Sequence, residues 1–205
     1  MSPITELIGS VKAYGWGSLV AAGDYESIAT TTVGSGGSSN VEFTSIPGTY
    51  THLQIRLLGQ SNRGTYNIDS FKVQVGNSTI DTASNYSRHE LFSSQVSPGS
   101  SVLSDGGGNT AFFYGGVSGT TVKANTFGVS IIDVLDYANT NKYKTFRCLS
   151  AAETNGADAG YAGFIQLSSG SWRSTSAIDR IKIFPETGTL WTQYSHFALY
   201  GIKGA

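Results

Sequence analysis

The chain has 205 residues, a formal net charge of −1 and 13% charged residues, against about 25% in an average soluble domain. That balance excludes the basic footprint of an electrostatic nucleic-acid binder. A lone cysteine, Cys148, excludes an internal disulfide and a thiolate zinc cage and reads as a small core residue.

The length suits one all-β domain with a core of its own, or such a domain plus an arm. Ser and Thr make up about a quarter of the chain and glycine is abundant, a mixture that favours short strands and turns over long helices. No apolar run reaches the roughly 20 residues of a membrane span. Glu6 stands where a signal peptide would begin its apolar stretch, so the expectation is a soluble protein made in the cytoplasm.

Residues 1–24 differ from the rest of the chain. Ile4, Leu7, Ile8 and Val11 fall at near-helical spacing, and a glycine-rich stretch with Tyr14 and Trp16 comes next. A short tail of this composition needs a surface on which to bury its apolar groups, and the expected surface is a partner subunit. Residues 25–205 then read as one β domain. Tyr25 to Val33 is β-branched, and GSGGSS leads into Val41 and Phe43, the pattern of a hairpin with a loose loop.

Leu53, Ile55 and Leu57 alternate with polar neighbours, as do Phe71, Val73 and Val75 before the Gly76-Asn77 turn. From Thr79 to Gly108 the pattern weakens, which reads as a long loop with one short element in it. Regularity returns at Ala111 to Tyr114 and at Thr126 to Val134. Past the turn DYANTNK comes a return strand, Tyr143 to Ala151, and then Tyr161 to Leu167. The last two strand signals, Ile178 to Phe184 and Ser195 to Lys203, read as a hairpin. The first of these is apolar on one side, with Arg180 and Lys182 facing solvent. The second is apolar on both sides, so Tyr200 and Ile202 are expected to be covered by the arm or by another subunit.

About nine or ten strands without a βαβ rhythm predict an antiparallel two-sheet β-sandwich, jelly-roll-like, with an N-terminal arm.

Catalytic and metal chemistry find no foothold. His52, His89 and His196 are scattered, and DGGGN lacks the alternating oxygen ligands of a calcium loop. Asp133 and Asp136 are the nearest carboxylate pair in a recognisable context and read as turn acceptors, where a glycosidase needs two at a fixed separation, one with a raised pKa. No nucleophile elbow, P-loop or dinucleotide fingerprint occurs. The expectation is a non-enzyme without cofactor or metal. Trp172, Trp191 and Tyr194 flank the last strands, where they can cap the core, meet a protein partner or stack on a sugar.

Three stretches carry a resemblance: YESIATTTVGSGGSSNVEFTSIPGTYTHLQIRLLGQSN from Tyr25 to Asn62, DVLDYANTNKYKTFRCLSA from Asp133 to Ala151, and the ending with LYGIK. Together they resemble a group of small virion structural proteins of tailed bacteriophages. The resemblance implies a jelly-roll-like sandwich that assembles in the virion, often as a homotrimer. Such a protein serves either as a capsid decoration or cement protein bound to the major capsid protein, or as part of a tail fibre that recognises a host glycan.

Overall fold

The computed structural model describes residues 25–94, 97–123, 125–154 and 163–203. The expected arm at 1–24, with Ile4, Leu7, Ile8, Val11, Tyr14 and Trp16, lies outside the described residues. Thirteen strands occur among them: β1 (Tyr25–Thr32), β2 (Val41–Phe43), β3 (His52–Gly59), β4 (Ile68–Asn77), β5 (Thr79–Ile80), β6 (Tyr86–Ser94) and β7 (Ser97–Asn109), followed by β8 (Phe112–Ser118), β9 (Gly128–Leu135), β10 (Lys144–Glu153), β11 (Gly163–Trp172), β12 (Arg180–Pro185) and β13 (His196–Ile202).

Side-chain alternation sorts these strands into two layers. In β12, Ile181 and Ile183 are buried while Arg180 and Lys182 are half-exposed; in β10, Phe146, Cys148 and Ser150 point inward while Arg147 and Leu149 point out. The large sheet runs β1-β13-β3-β9-β10-β11-β6-β7, and the small sheet runs β2-β12-β4-β5 with β8 paired to β4. All these pairings are antiparallel. The expected two-sheet sandwich is therefore the fold.

Its path is a wrapped hairpin. The nested pairs β1 with β13, β2 with β12, β3 with β9 and β4 with β8 fall alternately in the large and the small sheet, which is the winding of a jelly roll. Strands β10, β11, β6 and β7 then widen the large sheet beyond β9.

The core fills the space between the sheets. Leu53, Ile55 and Leu57 of β3, Phe71, Val73 and Val75 of β4, and Phe197 and Leu199 of β13 are all buried; each contributes about 1.5–3 kcal/mol relative to exposure. Trp191 sits at their centre, with ring centroids 6.1 Å from Phe71 and 5.0 Å, edge-on, from Phe197. Gly76 closes the β4–β5 turn, where a Cβ would stand 1.8 Å from the Thr79 carbonyl oxygen.

Three expectations are corrected. The last two strands are not a hairpin: β12 lies between β2 and β4 in the small sheet, and β13 lies between β1 and β3 in the large one. Residues 186–195 cross from one layer to the other. For the same reason β1 and β2 are not a hairpin. Finally, the weak stretch from Thr79 to Gly108 contains β5, β6 and β7, the last two joined as a long hairpin on the outer edge of the large sheet.

Candidate docking surface

Register decides what the outer face of the large sheet carries, because directly opposed residues on neighbouring strands lie side by side on one face. Ile131 of β9 is opposite Arg56 of β3 on one side and Leu149 of β10 on the other. Leu149 is opposite Leu167 of β11, and Leu167 is opposite Leu91 of β6. One step along the strands, Leu58, Val129, Ala151 and Ile165 line up in the same way. Seven of these side chains, from Leu58 to Leu167, are substantially exposed, with Leu149 at 48% and Ile165 at 56%. A sandwich normally turns polar residues outward. Here the outer face carries an apolar belt across five strands.

A polar row borders the belt on one side, where Gln54, Asp133, Arg147, Ser169 and His89 are opposed in turn. The Asp133 carboxylate accepts from Gln54 Nε2 at 2.9 Å and from Arg147 Nη2 at 2.6 Å. Arg147 remains 67% exposed along its side chain. Arg56 Nε donates to Gln54 Oε1 at 2.9 Å, and its guanidinium lies 4.9 Å from the Tyr200 ring centroid and 5.7 Å from that of Tyr25. Where belt and polar row meet, His89, Leu91, Arg147 and Leu167 line a shallow depression of about 280 Å³. The arrangement has the anatomy of a protein interface: a desolvatable apolar centre with a hydrogen-bonded polar rim.

Tyr200 and Ile202, expected to meet an arm or a subunit, do lie on this outer face. Both are half-buried, and the pairs Tyr200–Gln54 and Ile202–His52 set them beside the polar row. Neither belongs to the belt itself. Trp172 and Trp191 are a correction to the reading of them as partner or glycan contacts. Trp191 is 0% exposed and donates its indole N–H to the Ile183 carbonyl at 3.2 Å. Trp172 is buried and donates to Asp81 Oδ2 at 2.7 Å. A ring stacks on a sugar only from the surface, so of the three only Tyr194, 60% exposed, remains accessible.

Lys142, 2.6 Å away, holds the Asp136 carboxyl below its ordinary range, the reverse of a general acid's shift. Burial pushes the Cys148 thiol up to about 12, which keeps it inert. The belt residues had one signal in the sequence: strands such as GVSIIDVL carry apolar groups on both faces, and a second apolar row needs a second covering.

No family model and no curated protein matches the chain. Among solved structures, a fructofuranosidase from Schwanniomyces occidentalis in complex with fructosylnystose aligns over 90% of this chain and 35% of that one, at 7% identity and a TM-score of 0.25. The chain thus spans about a third of that enzyme's length. At that score the alignment carries neither fold nor chemistry across.

Proposed function

We propose that the protein is a non-enzymatic structural component of a bacteriophage virion, a decoration or cement protein that assembles with itself as a homotrimer and binds the major capsid protein. The carrying observation is the belt of Leu58, Leu91, Val129, Ile131, Leu149, Ile165 and Leu167 on the outer face of the large sheet. Contiguous exposed apolar surface of this kind on a well-formed sandwich marks an interaction site. The jelly-roll winding and the phrases resembling phage virion proteins agree with it. A protein that joins several subunits of a shell needs a binding face on a rigid element, and a sheet is rigid. Immunogold labelling of purified particles tests the proposal. Label distributed over the shell supports a decoration protein, label confined to the tail replaces it with a fibre role, and particles free of label overturn the virion assignment.

A further inference from the structure

The belt needs an occupant, and both the direction of the chain and its composition point to one. Strand β1 is the edge strand of the large sheet, and Tyr25, where the described chain begins, is opposite Ile202. The belt lies level with the other end of β1: Thr30 pairs with Ala198, which pairs with Arg56, the neighbour of Ile131, and Thr32 pairs with His196, the neighbour of Leu58. Strand β1 therefore directs the chain at Tyr25 away from its own belt. To return, it would have to reverse and cross β13, β3 and β9, four strand spacings or about 19 Å to Leu149, over the Tyr25, Arg56 and Tyr200 stack. Continuing outward, up to 24 residues of chain reach as far as about 80 Å.

Composition fits this route. Residues 1–24 carry Ile4, Leu7, Ile8, Val11, Tyr14 and Trp16, an apolar set comparable in number to the exposed side chains of the belt. Glu6 lies within that set, and Arg147 stands exposed at the rim. We infer that residues 1–24 of one copy dock on the Leu149-centred belt of a neighbouring copy. The inference rests on the proposed self-assembly and names the partner of that surface. Arm exchange of this sort joins copies without further contacts, since each arm is tethered and its second contact is effectively intramolecular.

The test places a photo-crosslinking phenylalanine analogue at position 149, and separately at 167, in the full chain. Light and heavy-isotope copies are mixed before illumination. Expected are crosslinked peptides joining position 149 or 167 to residues 1–24 of the opposite isotope, and at least a tenfold drop in their yield with Ile8→Asp. Crosslinks to residues 25–203 of another copy overturn the arm inference while leaving assembly intact. Same-isotope crosslinks to 1–24 only would place the arm on its own domain and overturn exchange. An oligomer that gives no crosslink to 1–24 overturns the inference as well. A monomer at high concentration, without any intermolecular crosslink, sinks the inference together with the self-assembly on which it rests.

Discussion

Leu149 and Leu167 stand directly opposite each other on β10 and β11, side by side on the outer face, and each is close to half exposed. Two leucines in this position contribute little to the fold, because neither is inside it. They stand at the centre of the exposed belt, where the proposed interface would concentrate its binding energy.

Replacing Leu149 by Asp should separate stability from association. Stability by urea unfolding should fall by about 1 kcal/mol, the cost of losing the cross-strand pairs with Ile131 and Leu167 and of placing Asp in a strand. Self-association or occupancy on particles should fall by at least about tenfold. Thr145→Asp, on the same strand and the same face but outside the belt, should leave association unchanged. Equal association for wild type and Leu149→Asp would remove the belt as an interface.

The pairing of Trp172 with Asp81 should be visible in acid. Burial raises the Asp81 carboxyl, but donors from Trp172 Nε1, Asn85 Nδ2 and the Ala83 amide outweigh it and hold the group below its ordinary value. A carboxyl depressed on folding stabilises the protein above its unfolded pKa of about 4, and that contribution is lost as pH falls through the folded value. Trp172→Phe removes one donor. Its destabilisation should therefore be larger near neutrality than at about pH 3. Denaturant titrations at the two pH values check this, and equal losses at both would mean that only packing was removed.

The same residues show how far a sequence can be read. One-sided apolar rows were legible: β12 alternates cleanly, and β3 and β4 set Leu53, Ile55 and Leu57 and Phe71, Val73 and Val75 on the core face, although Gln54 and Gln74 on the other face are buried as well. Partners were not legible, since alternation fixes a face and says nothing of a neighbour. Thus β12 and β13, adjacent in the chain, settled into different sheets, with the buried Trp191 in the crossing segment. Strand β6 was illegible for another reason. Its inward row mixes Tyr86 and Phe92 with Arg88 and Glu90 while Leu91 points out, so its apolar residues fall on both faces. In β11 the eye takes Ile165 and Leu167 for core, whereas the inward row is Phe164, Gln166, Ser168 and Gly170. The belt was hidden by the assumption that apolar means inside.

Lys144 offers a test of the fold itself. Its side chain is buried at the start of β10, and its ammonium donates to the carbonyls of Asn139, Lys142 and Thr175, the last two at 3.0 and 3.3 Å. The charge ties the β9–β10 turn to the segment ahead of β12. Burial lowers its pKa, so the folded state binds fewer protons than the unfolded chain just below the ordinary lysine value, and stability gains as pH rises through that window. Lys144→Met keeps the length but strands three acceptors. It should cost about 2 kcal/mol by urea unfolding, and it should lack the rise on the alkaline side. A variant as stable as wild type would show that water replaces the ammonium without loss.

Glu90 should act in the opposite sense. On the inward row of β6, burial lifts its carboxyl above the ordinary range, aided by the negative charge of Glu186 and opposed by Arg88 and by Gln166, whose Nε2 donates to Glu90 Oε2 at 3.0 Å. A carboxyl raised on folding holds its proton longer in the native state. Its stabilisation is present below the unfolded pKa and is lost as pH climbs through the folded one. Glu90→Gln keeps the neutral shape and an acceptor for Gln166 without ever ionising. The variant should match wild type at about pH 4 and exceed it in stability at about pH 8, with the gap opening across the interval between the two pKa values. Urea midpoints for both proteins across this range supply the measurement. A constant difference at every pH would show that the Glu90 carboxylate is solvated well enough for burial not to matter.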